Sequence, residues 1–504
     1  MSATTVAASR PLAAAQALRP LRKLSLLVGL VAIAISLVGS WVPSLWGDEA
    51  ASVLSATRPV LSLFPMLTHV DAVHGSYYLG LHAWIDLVGS NPFLVRLPSA
   101  IAVGACAAAV TWLCGRFGSL RFAVLAGGLA AVLPRLTYAG EEARSYAFDA
   151  AIATVICVIL AEMLLRRPVT RRWWIAYGAV LAVGIYAFLY LALMAVVVGI
   201  VVFLTPHLRA QIRRWVVASG AAALVASPVI VLAVIERQQI SFLAQRNVVN
   251  VDSIFVQMWF SSVPVALIAW ALILLACGGW LRDTLARRRT GAAWEPRLEL
   301  IALLWLIVPM GILIAASPIV AGFTARYGTY SAPAAAVLMA LGVRRIARVR
   351  WMPLVAVSAI CAAVVPVWIS QRTPYAKNGS DWNEITATLA RVAESGDAVV
   401  FDEGTRPSRR PRLAMDTDPL PYARLRDVTL KTPYAAGTSW HSSAYTVSEA
   451  AARDRFTDVN RVWLVEYSIG GATDTWGVRD LQSMGFHRVQ EITDHRSVVA
   501  LYER

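Results

Sequence analysis

Long apolar runs divided by short basic clusters constrain the fold of this chain more than any other feature of its sequence. A helix needs about 20 apolar residues to cross the hydrocarbon of a bilayer. Runs at residues 24–42, 97–114, 147–165, 215–235, 254–280, 298–320 and 352–369 meet or approach that length, and shorter ones occupy 123–137, 173–188, 189–204 and 331–343. Of the 504 residues, 58% are hydrophobic and only 15% are charged. Soluble domains have shares nearer about one half and about one quarter, so these values exclude an ordinary soluble protein and imply a polytopic α-helical membrane protein.

The net charge of +15 is one of topology rather than of nucleic-acid binding. The basic residues fall between apolar runs, as they do in cytoplasmic loops. Arg10, Arg19, Arg22 and Lys23 precede the first run, which lacks a small-residue cleavage site and reads as a retained signal anchor with a cytoplasmic N-terminus, residues 1–23. If the clusters at Arg116/Arg121 and at Arg166/Arg167/Arg171/Arg172 are both inside, one crossing lies between the stretch after the first run and Arg116. Run 97–114 is the longer candidate; segment 77–88, with His82 and Asp86, is too short to span and reads as an amphipathic surface helix. Residues 45–96 then form one long external loop. The same bookkeeping gives eleven crossings, with the C-terminus outside.

From about residue 371 the pattern changes to short alternating segments with helical stretches between them, the mark of a small α/β domain over residues 371–504. The expected organisation is therefore a membrane domain at 24–370 and an external α/β domain behind it. The five cysteines, Cys106, Cys114, Cys157, Cys277 and Cys361, lie in apolar runs without metal-ligand spacing, so they read as packing residues. No internal repeat is apparent.

Charged residues gather in the expected outer loops. Trp46-Gly47-Asp48-Glu49-Ala50 follows the first run and places two adjacent carboxylates at the membrane boundary. It could be a solvated helix start, since acidic groups favour a helix N-terminus. The other loops add Arg58, Asp71, His74, Glu141, Glu142, Arg144, Tyr146 and Arg326. A transporter is expected to carry its charges near mid-span, whereas these collect at one interface, apart from Asp149 just inside its run. Arginine forks suit a lipid phosphate, and a carboxylate can serve as base toward a hydroxyl. Glu142 and Asp48 could also hold Mg²⁺ or Mn²⁺ through oxygen ligands. Plainer roles are open to several of these groups: a solvated loop for Glu141 and Glu142, an interfacial anchor for Arg326, the polar face of a surface helix for His82 and Asp86, and an aromatic belt for Tyr186 and Tyr190.

Five segments, taken in order, resemble the GT-C glycosyltransferases, in particular the branch of protein O-mannosyltransferases and the lipid A aminoarabinose transferase. They are Trp46-Gly47-Asp48-Glu49-Ala50, Asp71-Ala72-Val73-His74-Gly75-Ser76-Tyr77-Tyr78, Arg96-Leu97-Pro98-Ser99-Ala100, Glu142-Ala143-Arg144-Ser145-Tyr146 and Arg326-Tyr327. The external domain resembles those appended to bacterial members. The resemblance implies an enzyme of the cell membrane that transfers a sugar, with inversion, from a polyprenyl-phosphate donor to an extracytoplasmic acceptor hydroxyl on a glycan, lipid or protein. Mannose is the sugar it suggests first. Asp48 would be the catalytic carboxylate and Glu49 its acidic partner, while Arg58, His74, Glu142, Arg144, Tyr146 and Arg326 would contact the donor phosphate or substrate. The chain reads His74-Gly75-Ser76 where relatives commonly have His-Pro-Pro, which removes a rigid diproline turn. Two other readings are a transporter or flippase of a lipid-linked envelope precursor and a non-enzymatic scaffold.

Overall fold

The computed structural model describes residues 18–238, 249–290, 296–319, 322–468 and 476–504. Arg10 and most of the expected cytoplasmic N-terminus lie outside the described residues, as do residues 239–248 of the expected loop at 236–252, residue 320 at the end of the run at 298–320 and residue 321 after it. The chain divides into two units, Met1–Val38 with Leu97–Ile369, and Gly39–Arg96 with Ser370–Arg504.

The first unit is helical. Among the described residues six helices are long and apolar enough to cross a bilayer: Arg19–Leu37, Pro92–Gly115, Tyr146–Leu165, Val263–Arg289, Leu298–Ala316 and Met352–Ser370. Two bent pairs bring the number to eight if each is one span: Leu120–Val132 with Pro134–Gly140, bent by 61°, and Ile212–Val225 with Ser227–Ile235, bent by 58°. The chain is thus a multi-pass membrane protein, and among the described residues six to eight full-length spans stand beside the eleven crossings expected. In both pairs a proline stands at the first turn of the second helix. It cannot donate to the carbonyl four residues back, so the first helix stops and a new one starts at an angle. The runs at 173–188, 189–204 and 331–343 form helices Arg171–Ala187, Met194–Leu204 and Ala332–Ile346, each shorter than a straight crossing requires.

Ala332–Ile346 is the central rod of this unit, buried continuously from Ala332 to Val343. Its small residues allow close approach: a Cβ on Gly342 would lie 2.2 Å from the Leu272 carbonyl oxygen. Met352–Ser370 is the opposite case, with only Ile360 and Val364 buried and Leu354 70% exposed, as a lipid-facing helix requires. Charge pairs tie the basic clusters together. Glu162 binds Arg116 at 2.6 Å and Arg166 at 2.9 Å, and Asp283 binds Arg345 at 2.6 Å. The first two clusters used to set the topology therefore share one end of the unit.

The second unit joins the loop after the first span to the C-terminal residues. Helices Gly47–Thr57, Val60–Leu67 and Gly75–Val88 make up its N-terminal part. The expected surface helix at 77–88 corresponds to the last of these, which buries Gly75, Tyr78 and Leu81 and leaves Leu87 exposed. The C-terminal part carries helix Trp382–Val392 and a five-stranded sheet of order β2-β1-β5-β7-β6, from β1 (Ala398–Phe401), β2 (Arg426–Asp427), β5 (Arg461–Tyr467), β6 (His487–Thr493) and β7 (Ser497–Glu503). β1 runs parallel to β2 and β5, and β7 runs antiparallel to β5 and β6. A short antiparallel pair, β3 (Leu430–Thr432) with β4 (Ser443–Ala444), completes it. Hydrogen bonds explain why 39–96 belongs here rather than with the membrane helices: Ser44 N donates to Pro374 O at 3.1 Å, and Ser380 Oγ donates to Leu45 O at 2.6 Å.

Candidate functional site

In the second unit the Trp46-to-Ala50 stretch opens helix Gly47–Thr57, with Trp46 extended and Asp48 and Glu49 in the first turn. Gly47 is required by crowding, because a Cβ there would lie 2.3 Å from the Ser408 carbonyl oxygen. The two carboxylates face different surroundings. Asp48 is half-buried, whereas Glu49 is wholly buried in a forked ion pair with Arg96, Oε1 accepting from Nε at 2.8 Å and Oε2 from Nη2 at 2.6 Å. Arg96 also donates to the carbonyls of Ser40 and Pro43, at 2.5 and 3.0 Å. Glu49 is thus the anchor that orients the turn carrying Asp48. Sequence reading gave Arg96 no partner.

Arg58 lies at the opposite end of the same helix, about 15 Å from Asp48 at 1.5 Å per residue. It is buried and donates to Ser62 Oγ at 3.1 Å, to Gly437 O at 2.7 Å and to Tyr434 O. Those bonds take up most of the fork, so the arginine acts as a latch on the loop at 434–439 and offers little to the phosphate expected of it. Burial also lowers its pKa. Asp71 adopts a left-handed φ of 60° and accepts from Tyr78 Oη at 3.0 Å, while the His74 ring lies 6.0 Å from that of Tyr78. His82 binds the Ala56 carbonyl through Nδ1 at 2.7 Å and Asp86 through Nε2 at 3.3 Å, which places it against its own unit.

The first unit holds the other group. After Pro134–Gly140 the chain turns through Glu141, Glu142 and Arg144, all buried, into helix Tyr146–Leu165. The turn is fixed by Arg144 N donating to Glu142 O at 2.8 Å and by Ser99 Oγ donating to Arg144 O at 3.3 Å. Ser145 Oγ donates to Asp149 Oδ2 at 3.2 Å. The Arg326 guanidinium stands 6.0 Å over the Tyr146 ring. Tyr146, Tyr327, Tyr190 and Tyr330 pack edge-on or tilted around Phe188, with ring centroids 5.3 to 6.1 Å from it. Tyr190 is therefore part of a packed aromatic wall, while Tyr186 bonds the Val225 carbonyl at 2.9 Å.

Arg135, which no motif singled out, belongs to this group. Its Nε donates to Met258 O at 3.1 Å and its Nη2 to Gln257 O. It interacts electrostatically with Tyr138, Glu142, Tyr146 and Arg326. An arginine breaking an apolar run was the signal for it. Glu142, Arg144, Tyr146 and Arg326 are thus brought together with Arg135 in one unit, and Asp48, Glu49, Arg58 and His74 lie in the other. Among the described residues no three His, Cys, Asp or Glu side chains gather as a metal site. The Glu142 and Asp48 pair proposed for Mg²⁺ or Mn²⁺ is divided between the units.

No protein-family model matches the sequence, and no curated protein matches it in sequence. Solved structures do match. ArnT from Cupriavidus metallidurans in the apo state superposes with a TM-score of 0.56 at 12% identity, over 94% of this chain and 97% of that one; bound to undecaprenyl phosphate it gives 0.55 at 13%. The Archaeoglobus fulgidus oligosaccharyltransferase tethered to an acceptor peptide gives 0.50 at 10% identity, over 88% of this chain and 68% of that one. The mycobacterial arabinofuranosyltransferase AftD gives 0.50 at 15% identity, over 94% of this chain and 39% of its own. At such identities the likeness is one of fold. The chain therefore shares the fold of these solved structures.

Proposed function

We propose that the protein is a membrane glycosyltransferase that moves a sugar, mannose in the first instance, from a polyprenyl-phosphate donor to an acceptor hydroxyl on the outer face of the cell membrane. One observation carries this reading: nearly the whole chain, 94% of it, follows the fold of ArnT, a protein solved with undecaprenyl phosphate bound. Within the first unit, the grouping of Glu142, Tyr146 and Arg326 around Arg135 supports it further. In the proposed reaction Asp48 accepts the proton of the acceptor hydroxyl as its oxygen attacks the anomeric carbon. The bond to the phosphate oxygen breaks with its electron pair, and the configuration inverts. Arg144 and Arg326, joined by Arg135, balance the charge left on the lipid phosphate, and the aromatic wall around Phe188 lines the same group. Glu49 and Arg96 hold the turn that presents Asp48.

Proteoliposomes given a radiolabelled polyprenyl-phosphate mannose test this. Label passing into an acceptor glycoside is the expected result. Label that crosses the bilayer unchanged, or stays on its carrier, would overturn the reading.

A further inference from the structure

The second unit contains a cleft of about 620 Å³ that the proposed chemistry does not use. One wall is a face of helix Trp382–Val392, where Asn383, Thr386 and Ala387 line the space. Asn91, Asp418 and the exposed Leu420 between two prolines close it, and Leu45 forms part of its floor, three residues before Asp48. The volume is within the range of sites that enclose organic ligands, roughly 300 to 1,000 Å³.

The chemistry of the lining narrows the occupant. Two carboxamides, hydroxyls and one carboxylate are set among leucine, proline and alanine surface, and no lysine or arginine lines the cleft. A much smaller depression shares Trp382 but is lined by Lys377, Arg409 and Arg496 against the single carboxylate of Asp381, so an anionic ligand has a better-matched place nearby within the same unit. An uncharged oligosaccharide suits the larger cleft on both counts. Its hydroxyls satisfy the amides and Asp418, and its C–H faces cover the apolar residues. Asn91 Oδ1 already accepts from Leu94 N at 2.9 Å, which holds its amide group in place as a donor.

We propose that this cleft binds an uncharged oligosaccharide, the non-reacting sugars of the acceptor, and so selects acceptors longer than one residue. The word acceptor rests on the transferase reading; the binding itself does not. The test uses the full chain in nanodiscs without donor, with octyl mannoside, octyl mannotrioside and a glucuronate-capped trioside as probes, their binding followed by calorimetry. The trioside is expected to bind at least tenfold tighter than the monosaccharide. Ala387→Trp, on an exposed position, should fill the cleft and erase that difference, and Asp418→Asn should reduce it. Equal binding of the two uncharged glycosides, a preference for the acidic one, or full trioside binding by both variants would overturn the inference. Trioside binding without any transfer when donor is added would count against the transferase reading and leave the cleft assignment standing.

Discussion

Glu49 is accommodated in a fully buried position because Arg96 donates to both of its oxygens. Removing one member strands the other, which costs about 3 to 5 kcal/mol in buried pairs. Arg96→Met should therefore lower the unfolding temperature sharply, and adding Glu49→Gln should restore part of the loss; additive losses in a double-mutant cycle would contradict the pairing. Asp416 supplies a second residue-scale expectation. Burial pushes its pKa up to about 6, against the pull of Arg412 and a hydrogen bond from Ser442. Its folded value is above the ordinary carboxylate range, so the proton it holds stabilises the fold at acid pH. That contribution declines as the pH rises from about 4 to about 6. Asp416→Asn should flatten this dependence and gain on the order of 2 kcal/mol at pH 7, read from thermal unfolding in micelles at pH 4.5 and 7.5. An unchanged pH dependence would contradict the assignment. Motif order singled out Asp48 and Arg144, whereas Arg135 was passed over although it breaks an apolar run. The pairing of Glu49 with Arg96 was not legible, because nothing local joins residues 47 positions apart.

Among the elements, helix Gly47–Thr57 depends on a close approach at its start. Gly47→Ala would force a Cβ onto Ser408 backbone, and since that contact cannot be relieved by a side-chain rotation, the turn bearing Asp48 must shift. A displacement of this size near reacting groups can cost about 10²-fold in rate. The expected result is a loss of transfer with the fold retained by circular dichroism; wild-type rates would contradict the crowding. Helix positions were readable from apolar runs, but their continuity was less so. Pro134 ends one helix and starts another at 61°, whereas Pro309 sits inside Leu298–Ala316 without ending it. The sequence shows a proline in each case, and only packing decides which of them breaks the helix. The crossing number of eleven assumed one straight span per run, and the short helices Met194–Leu204 and Ala332–Ile346 do not satisfy that assumption.

At the scale of the molecule, composition and charge were enough to establish a multi-pass membrane protein with an α/β C-terminal part. They could not show that residues 39–96 group with 370–504, since that grouping is made by contacts such as Arg58 to the loop at 434–439. The comparisons add a likeness to the ArnT fold along 94% of the chain. In the proposed reaction the whole protein depends on Asp48 as the base toward an acceptor hydroxyl. The most direct measurement is single-turnover transfer from a polyprenyl-phosphate sugar by Asp48→Asn in proteoliposomes, beside wild type and with unfolding temperature as a check on the fold. The expected result is a fall of roughly 10²- to 10⁴-fold at an unchanged unfolding temperature; wild-type turnover by a folded Asp48→Asn would contradict the account.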